Sequence, residues 1–125
     1  MATSFTDVCV YTIKDSADLV AGRSDTFHER RSWVTAKRLL IEAERRGESV
    51  AVVFAPANTT DNLVAWAVLK DIQITPDGTD YTFANLKRFK KPLRPKTDLR
   101  KRNGERLSQN LIRPHAICRR PKFIG

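Results

Sequence analysis

The chain has 125 residues, 41% apolar and 30% charged, a composition that suits one soluble domain, residues 1–125, with a real core. No stretch approaches the roughly 18 consecutive apolar residues of a membrane span, and Met1–Asp7 lacks the charged start and apolar run of a secretory signal, so a cytoplasmic protein is predicted. The formal charge of +9 is unevenly placed: residues 85–125 carry 14 Lys/Arg against two acids, a net of +12, while residues 1–84 carry 9 against 12, a net of −3.

Val8-Cys9-Val10-Tyr11-Thr12-Ile13 is rich in β-branched residues and predicts a buried strand. Asp15–Asp25 is polar and turn-like. Trp33, Ala36, Leu40 and Ala43 recur at three- and four-residue spacing, which predicts a helix over Trp33–Arg46 capped by Ser32 and ended at Gly47. A short apolar strand follows at Val50–Ala55. Leu63–Ile74 predicts a long strand with Val64, Trp66, Val68, Ile72 and Ile74 on one face and Leu63, Ala65, Ala67 and Leu69 on the other. Thr75-Pro76-Asp77-Gly78-Thr79 then turns the chain into a hairpin with Asp80–Leu86.

After Leu86 the composition shifts. Residues 87–106 predict an exposed basic segment, with short helices expected at 97–102 and 105–111 and a last strand at Pro114–Arg120. Cys9 and Cys118, the only cysteines, each sit in an apolar strand-like context and meet if the first and last strands pair. The predicted architecture is α+β: a small, barrel-like, mostly antiparallel sheet with one main helix against its outer wall and short C-terminal helices.

No catalytic pattern survives inspection. The five glycines, at 22, 47, 78, 104 and 125, form no phosphate loop, and no carboxylates cluster. His28 reads as a surface residue rather than an acid or base. His115 and Cys118, three apart on a strand, point to opposite faces, so no metal site and no cofactor are expected. What remains is binding chemistry. Lys87, Arg88, Lys90, Lys91, Arg94, Lys96, Arg100, Lys101, Arg102 and Arg106 are interleaved with Phe89 and Leu93, a pattern for gripping phosphate without selecting sequence. Arg30 and Arg31 add two cations ahead of the helix. Ser32, Trp33 and Trp66 are the candidate pocket, with Trp33 as a wall on which a base could stack.

Ser32-Trp33 at the helix start, Arg46-Gly47-Glu48-Ser49-Val50-Ala51-Val52-Val53 and Ala65-Trp66-Ala67-Val68-Leu69-Lys70-Asp71-Ile72 together resemble the helix–turn–strand–strand core of the PUA-like superfamily, which includes the ASCH, EVE and YTH domains. The resemblance covers roughly residues 8–86. It implies a small barrel closed on one side by a helix, and a nucleic-acid module whose cleft accepts a single, sometimes modified, base. Some ASCH-like proteins are small amidohydrolases of modified nucleosides with a lysine in a Gly-Arg-Lys-Thr stretch. Here Gly22-Arg23-Ser24-Asp25-Thr26 has no lysine, which argues against catalysis.

The expectation is a non-catalytic module that binds RNA or DNA and no membrane. The alternatives are a small hydrolase using His28, Thr26 or Lys70, and a protein-interaction module, which would show an exposed apolar patch.

Overall fold

The computed structural model describes residues 4–14, 25–56, 62–89, 94–95, 99–100, 115–121 and 124. Eight strands and one helix follow in the order β1 (Phe5–Lys14), β2 (Thr26–Glu29), α1 (Val34–Arg45), β3 (Ser49–Pro56), β4 (Asn62–Leu63), β5 (Ala65–Thr75), β6 (Gly78–Arg88), β7 (Arg94–Pro95) and β8 (His115–Arg119). Six strands form one mixed sheet in the order β2-β6-β5-β3-β1-β8, and β4 pairs with β7 apart from it. The β1–β3 pair is parallel, and every other pairing of that sheet is antiparallel. A parallel pair needs a long crossover, here made by β2 and α1.

Alternating side chains give the sheet two buried faces. Val10, Val52, Phe54, Ala67, Leu69, Ile72, Tyr81, Phe83 and Phe27 pack with Trp33, Ala36, Leu40 and Ala43 of the α1 side. Cys9, Tyr11, Ala51, Val53, Trp66, Val68 and Cys118 form the other face, covered by Leu99 and Ile124. Burial on both faces explains why Val50–Ala55 is apolar throughout rather than alternating.

The sheet does not close: among the described residues β2 and β8 are its edges. It is nevertheless tightly curled. β2 and β1 stand four strand spacings apart, about 19 Å if the sheet were flat. Yet the Thr12 hydroxyl donates to Glu29 Oε1 at 3.2 Å, and the Phe27 and Phe54 rings, three strands apart, meet at 6.1 Å. All four side chains lie on the α1 side, so that face is concave. The helix thus packs into the hollow of the sheet, not against its outer wall as the pattern of Leu63–Ile74 suggested.

Helix α1 ends as expected: Gly47 takes φ +72, Glu48 N–H donates to Ala43 O and Gly47 N–H to Glu44 O, a Schellman motif. Its start differs. Ser32 is exposed and makes no cap; the buried Thr79 hydroxyl instead accepts from the Trp33 amide at 2.9 Å and donates to Arg31 O at 2.8 Å. A tertiary contact thus replaces the local one.

The predicted strand Leu63–Ile74 is broken at Val64, and a register irregularity between Leu69 and Asp71 moves Ile72 from the Trp66 face to the α1 face. One inserted residue reverses the parity of all that follows. The short edge strand β2 has no periodic signal of its own. Of the segment predicted as a first C-terminal helix, only Leu99 and Arg100 are described, Leu99 buried and without assigned structure and Arg100 in an isolated bridge; the rest of it and all of 105–111 lie outside the described residues.

Candidate nucleic-acid interface

The face opposite α1 carries two exposed cations from distant parts of the chain, Lys87 and Arg120, beside the rings of Phe5 and Trp66. At the end of β6, Lys87 is the cross-strand partner of Trp66, and its ammonium lies 4.9 Å from the indole centroid. Such a contact holds a lysine in place by about 0.5–1 kcal/mol without neutralising it. Phe5 meets Trp66 edge-on at 5.7 Å. After β8, the Arg120 guanidinium donates to Phe5 O at 3.3 Å and its amide to Asp7 O at 2.8 Å. Arg119 N–H donates to Arg100 O at 2.7 Å, so Arg100 and Arg119 lie side by side as Leu99 packs below. Asp7, Val8, Arg119 and Arg120 line a shallow, open depression of about 360 Å³.

Lys87, Arg88, Arg100, Arg119 and Arg120 are all exposed. Guanidinium groups offer bidentate contacts to phosphate, and lysine a point charge. Arg88, the partner of Ala65, and Arg119, two residues from Ile117, alternate to the α1 side, so the exposed cations can engage an extended polyanion from both faces.

The remaining predicted residues are distributed otherwise. Arg30 and Arg31 are exposed but lie at the start of α1, on the concave side. Arg94 is placed in β7 by its backbone. Lys90, Lys91, Lys96, Lys101, Arg102 and Arg106 lie outside the described residues. The pocket of Ser32, Trp33 and Trp66 is not assembled. Trp33 is fully buried, stacked on Tyr81 at 4.4 Å and 19°, whereas Trp66, at 8% exposure, belongs to the opposite face of the sheet. Trp33 is therefore a packing residue, because the curl of the sheet closes Tyr81 over its ring. Phe5, Arg119 and Arg120 were missed as site residues. The two arginines were legible only as part of the charged third, and nothing in Ser4-Phe5-Thr6 marks Phe5.

No family model matches the chain, and no curated protein is significantly similar to it.

Two further polar groups complete the picture. On the outer face of β2 and β6, His28 Nδ1 lies 2.6 Å from Asp80 Oδ1 with both side chains half-exposed, and the Thr26 and Thr82 hydroxyls share a 3.2 Å bond. Within the hollow, burial and then the nearby Glu29 carboxylate push the Tyr81 hydroxyl far above its ordinary pKa; on the opposite face, burial and then Cys118 do the same to Tyr11. Burial, reinforced by Cys118, also raises the Cys9 thiol, so it stays protonated and inert. Among the described residues, no three His, Cys, Asp or Glu side chains converge as metal ligands, and no helix is long and apolar enough to cross a membrane.

Proposed function

We propose that the chain is a nucleic-acid-binding module of barrel-like, PUA-like form, without catalytic activity of its own, that grips phosphate through its C-terminal third. One observation carries this reading: the part of the sequence with a net charge of +12 places Lys87 and Arg120 beside Phe5 and Trp66 on one sheet face, with exposed Arg88, Arg100 and Arg119 adjoining them in the chain or by a backbone bond. A concentrated positive field of this kind raises both encounter rate and affinity for a polyanion. The curl that brings β2 against β1 supports the barrel-like form.

Base recognition, on this reading, does not use Trp33. The aromatic surface beside the cations is Phe5 with Trp66, and partly buried Phe5 is the ring within reach of an unstacked base. Anisotropy titrations with labelled single-stranded RNA, single-stranded DNA and a matched duplex test the proposal. Expected is binding to at least one ligand that weakens steeply between about 50 and 200 mM salt. Absence of binding to all three at the lower salt refutes it.

A further inference from the structure

Three large apolar side chains stand in water among the described residues: Val34 at 63%, Ile41 at 42% and Ile74 at 38% exposure. Val34 and Ile41 are seven residues apart on α1, two helical turns, and therefore share a face. That face is the outermost one, since Ala36, Leu40 and Ala43 bury the opposite side. Arg38 and Arg45 fall on the same stripe, which reads Val34, Arg38, Ile41, Arg45 at four-, three- and four-residue steps, with Glu42 and Glu44 at its margins. Ile74 joins it at the N-terminal end. Ile74 is the cross-strand partner of Thr79, whose hydroxyl holds the amide of Trp33, the residue before Val34. Arg30 and Arg31 are exposed at that same end.

The outermost positions of a solvated helix are ordinarily polar; here branched aliphatics and guanidinium groups alternate along them. Phosphate binding needs the cations but gains nothing from aliphatic knobs, so the apolar members point to a protein. We infer that this stripe docks an acidic amphipathic helix of another protein. Its apolar side would pack against Val34, Ile41 and Ile74, and its carboxylates would meet Arg30, Arg31, Arg38 and Arg45. A second copy of this chain fits poorly, because a two-fold contact brings the arginines of both copies into one interface with no carboxylate of the stripe to meet them. The stripe lies on the α1 side of the sheet and Lys87 and Arg120 on the other, so both partners fit at once.

The test uses a synthetic helical peptide with leucine along one face and glutamate elsewhere, a scrambled isomer of the same composition, and a single-stranded oligonucleotide. Expected are amide shift changes on α1 and around Ile74 with the peptide alone. Val34→Glu with Ile41→Glu should weaken the peptide at least about ten-fold and leave oligonucleotide affinity unchanged. Arg38→Glu, at an exposed site that folding does not need, should weaken it as well. The inference is overturned if the peptide does not bind, if the scrambled isomer binds equally, or if these variants leave peptide affinity intact. Displacement of the peptide by the oligonucleotide overturns it in favour of a nucleic-acid surface. A dimer in sedimentation that Val34→Glu with Ile41→Glu dissolves overturns it in favour of self-association.

Discussion

Replacing Lys87, Arg100, Arg119 and Arg120 together with alanine removes four exposed cations of the C-terminal third. If each faces one phosphate of a single strand, each contributes about −0.7 to the slope of log affinity against log salt, and the four about −2.8. Between about 50 and 200 mM salt that part alone lowers affinity about 50-fold. The quadruple variant should therefore bind more weakly at low salt, with a slope shallower by about 2.8. The folding cost is small beside this. The Lys87–Trp66 contact is worth about 0.5–1 kcal/mol, and the hydrogen bond from Arg120 to Phe5 O about 1 kcal/mol. Anisotropy across a salt series, with denaturation curves run in parallel, reads both quantities. A slope that changes by less than about 1, in a variant that remains folded, would place the phosphate contacts elsewhere.

Gly78→Ala should cost several kcal/mol, since its φ is +144 and a Cβ would run into the backbone carbonyl of Glu29; Gly47→Ala, at φ +72 with nothing within 4 Å, should cost only about 1 kcal/mol. Urea midpoints of the two variants compare them directly. Tyr11 and Tyr81 are the only tyrosines, both raised above their ordinary pKa, so absorbance titration of the folded protein should show no tyrosinate near pH 10. Both groups keep their protons in the folded state above the unfolded pKa. Their contribution to stability is thus complete below about pH 10 and falls as pH rises beyond it; a tyrosinate signal near pH 10 before unfolding would contradict their burial. Cys9 and Cys118 are direct cross-strand partners and both solvent-excluded. They should resist thiol reagents in the native state, yet join in a disulfide when refolded with a disulfide oxidant, with a mass loss of two hydrogens. Mixed adducts without that cross-link would mean the β1–β8 register is wrong.

Much of the fold was legible because its signals are local. The stripe of Ala36, Leu40 and Ala43 and the exit at Gly47 are short-range patterns, and so are the turn at Asp77-Gly78 and the apolar run Val50–Ala55. What escaped depends on distant partners. The start of α1 is held by Thr79, which lies 46 residues away, so Ser32 looked like a cap and is none. Ile72 changes face through a bulge that no residue type announces. Trp33 at a helix start looked open because the sequence cannot show Tyr81 stacked upon it. The cations were readable as a charge imbalance. Their convergence with Phe5 was not, since it needs the first and last strands to meet.

That meeting carries a consequence for synthesis. Cys9 and Cys118 face each other across 109 intervening steps of chain, so while a ribosome is still extending the polypeptide the outer edge of β1 has no strand beside it. On that edge the backbone donors and acceptors of Val8–Thr12 stay unmatched, next to the apolar face bearing Tyr11 and Val53, until residues 115–119 have emerged. An unmatched, apolar edge is a template for strands of other chains. The nascent protein is therefore most prone to aggregate late in its synthesis, and loss of β8 should lower soluble yield far more than the removal of five residues from a surface loop.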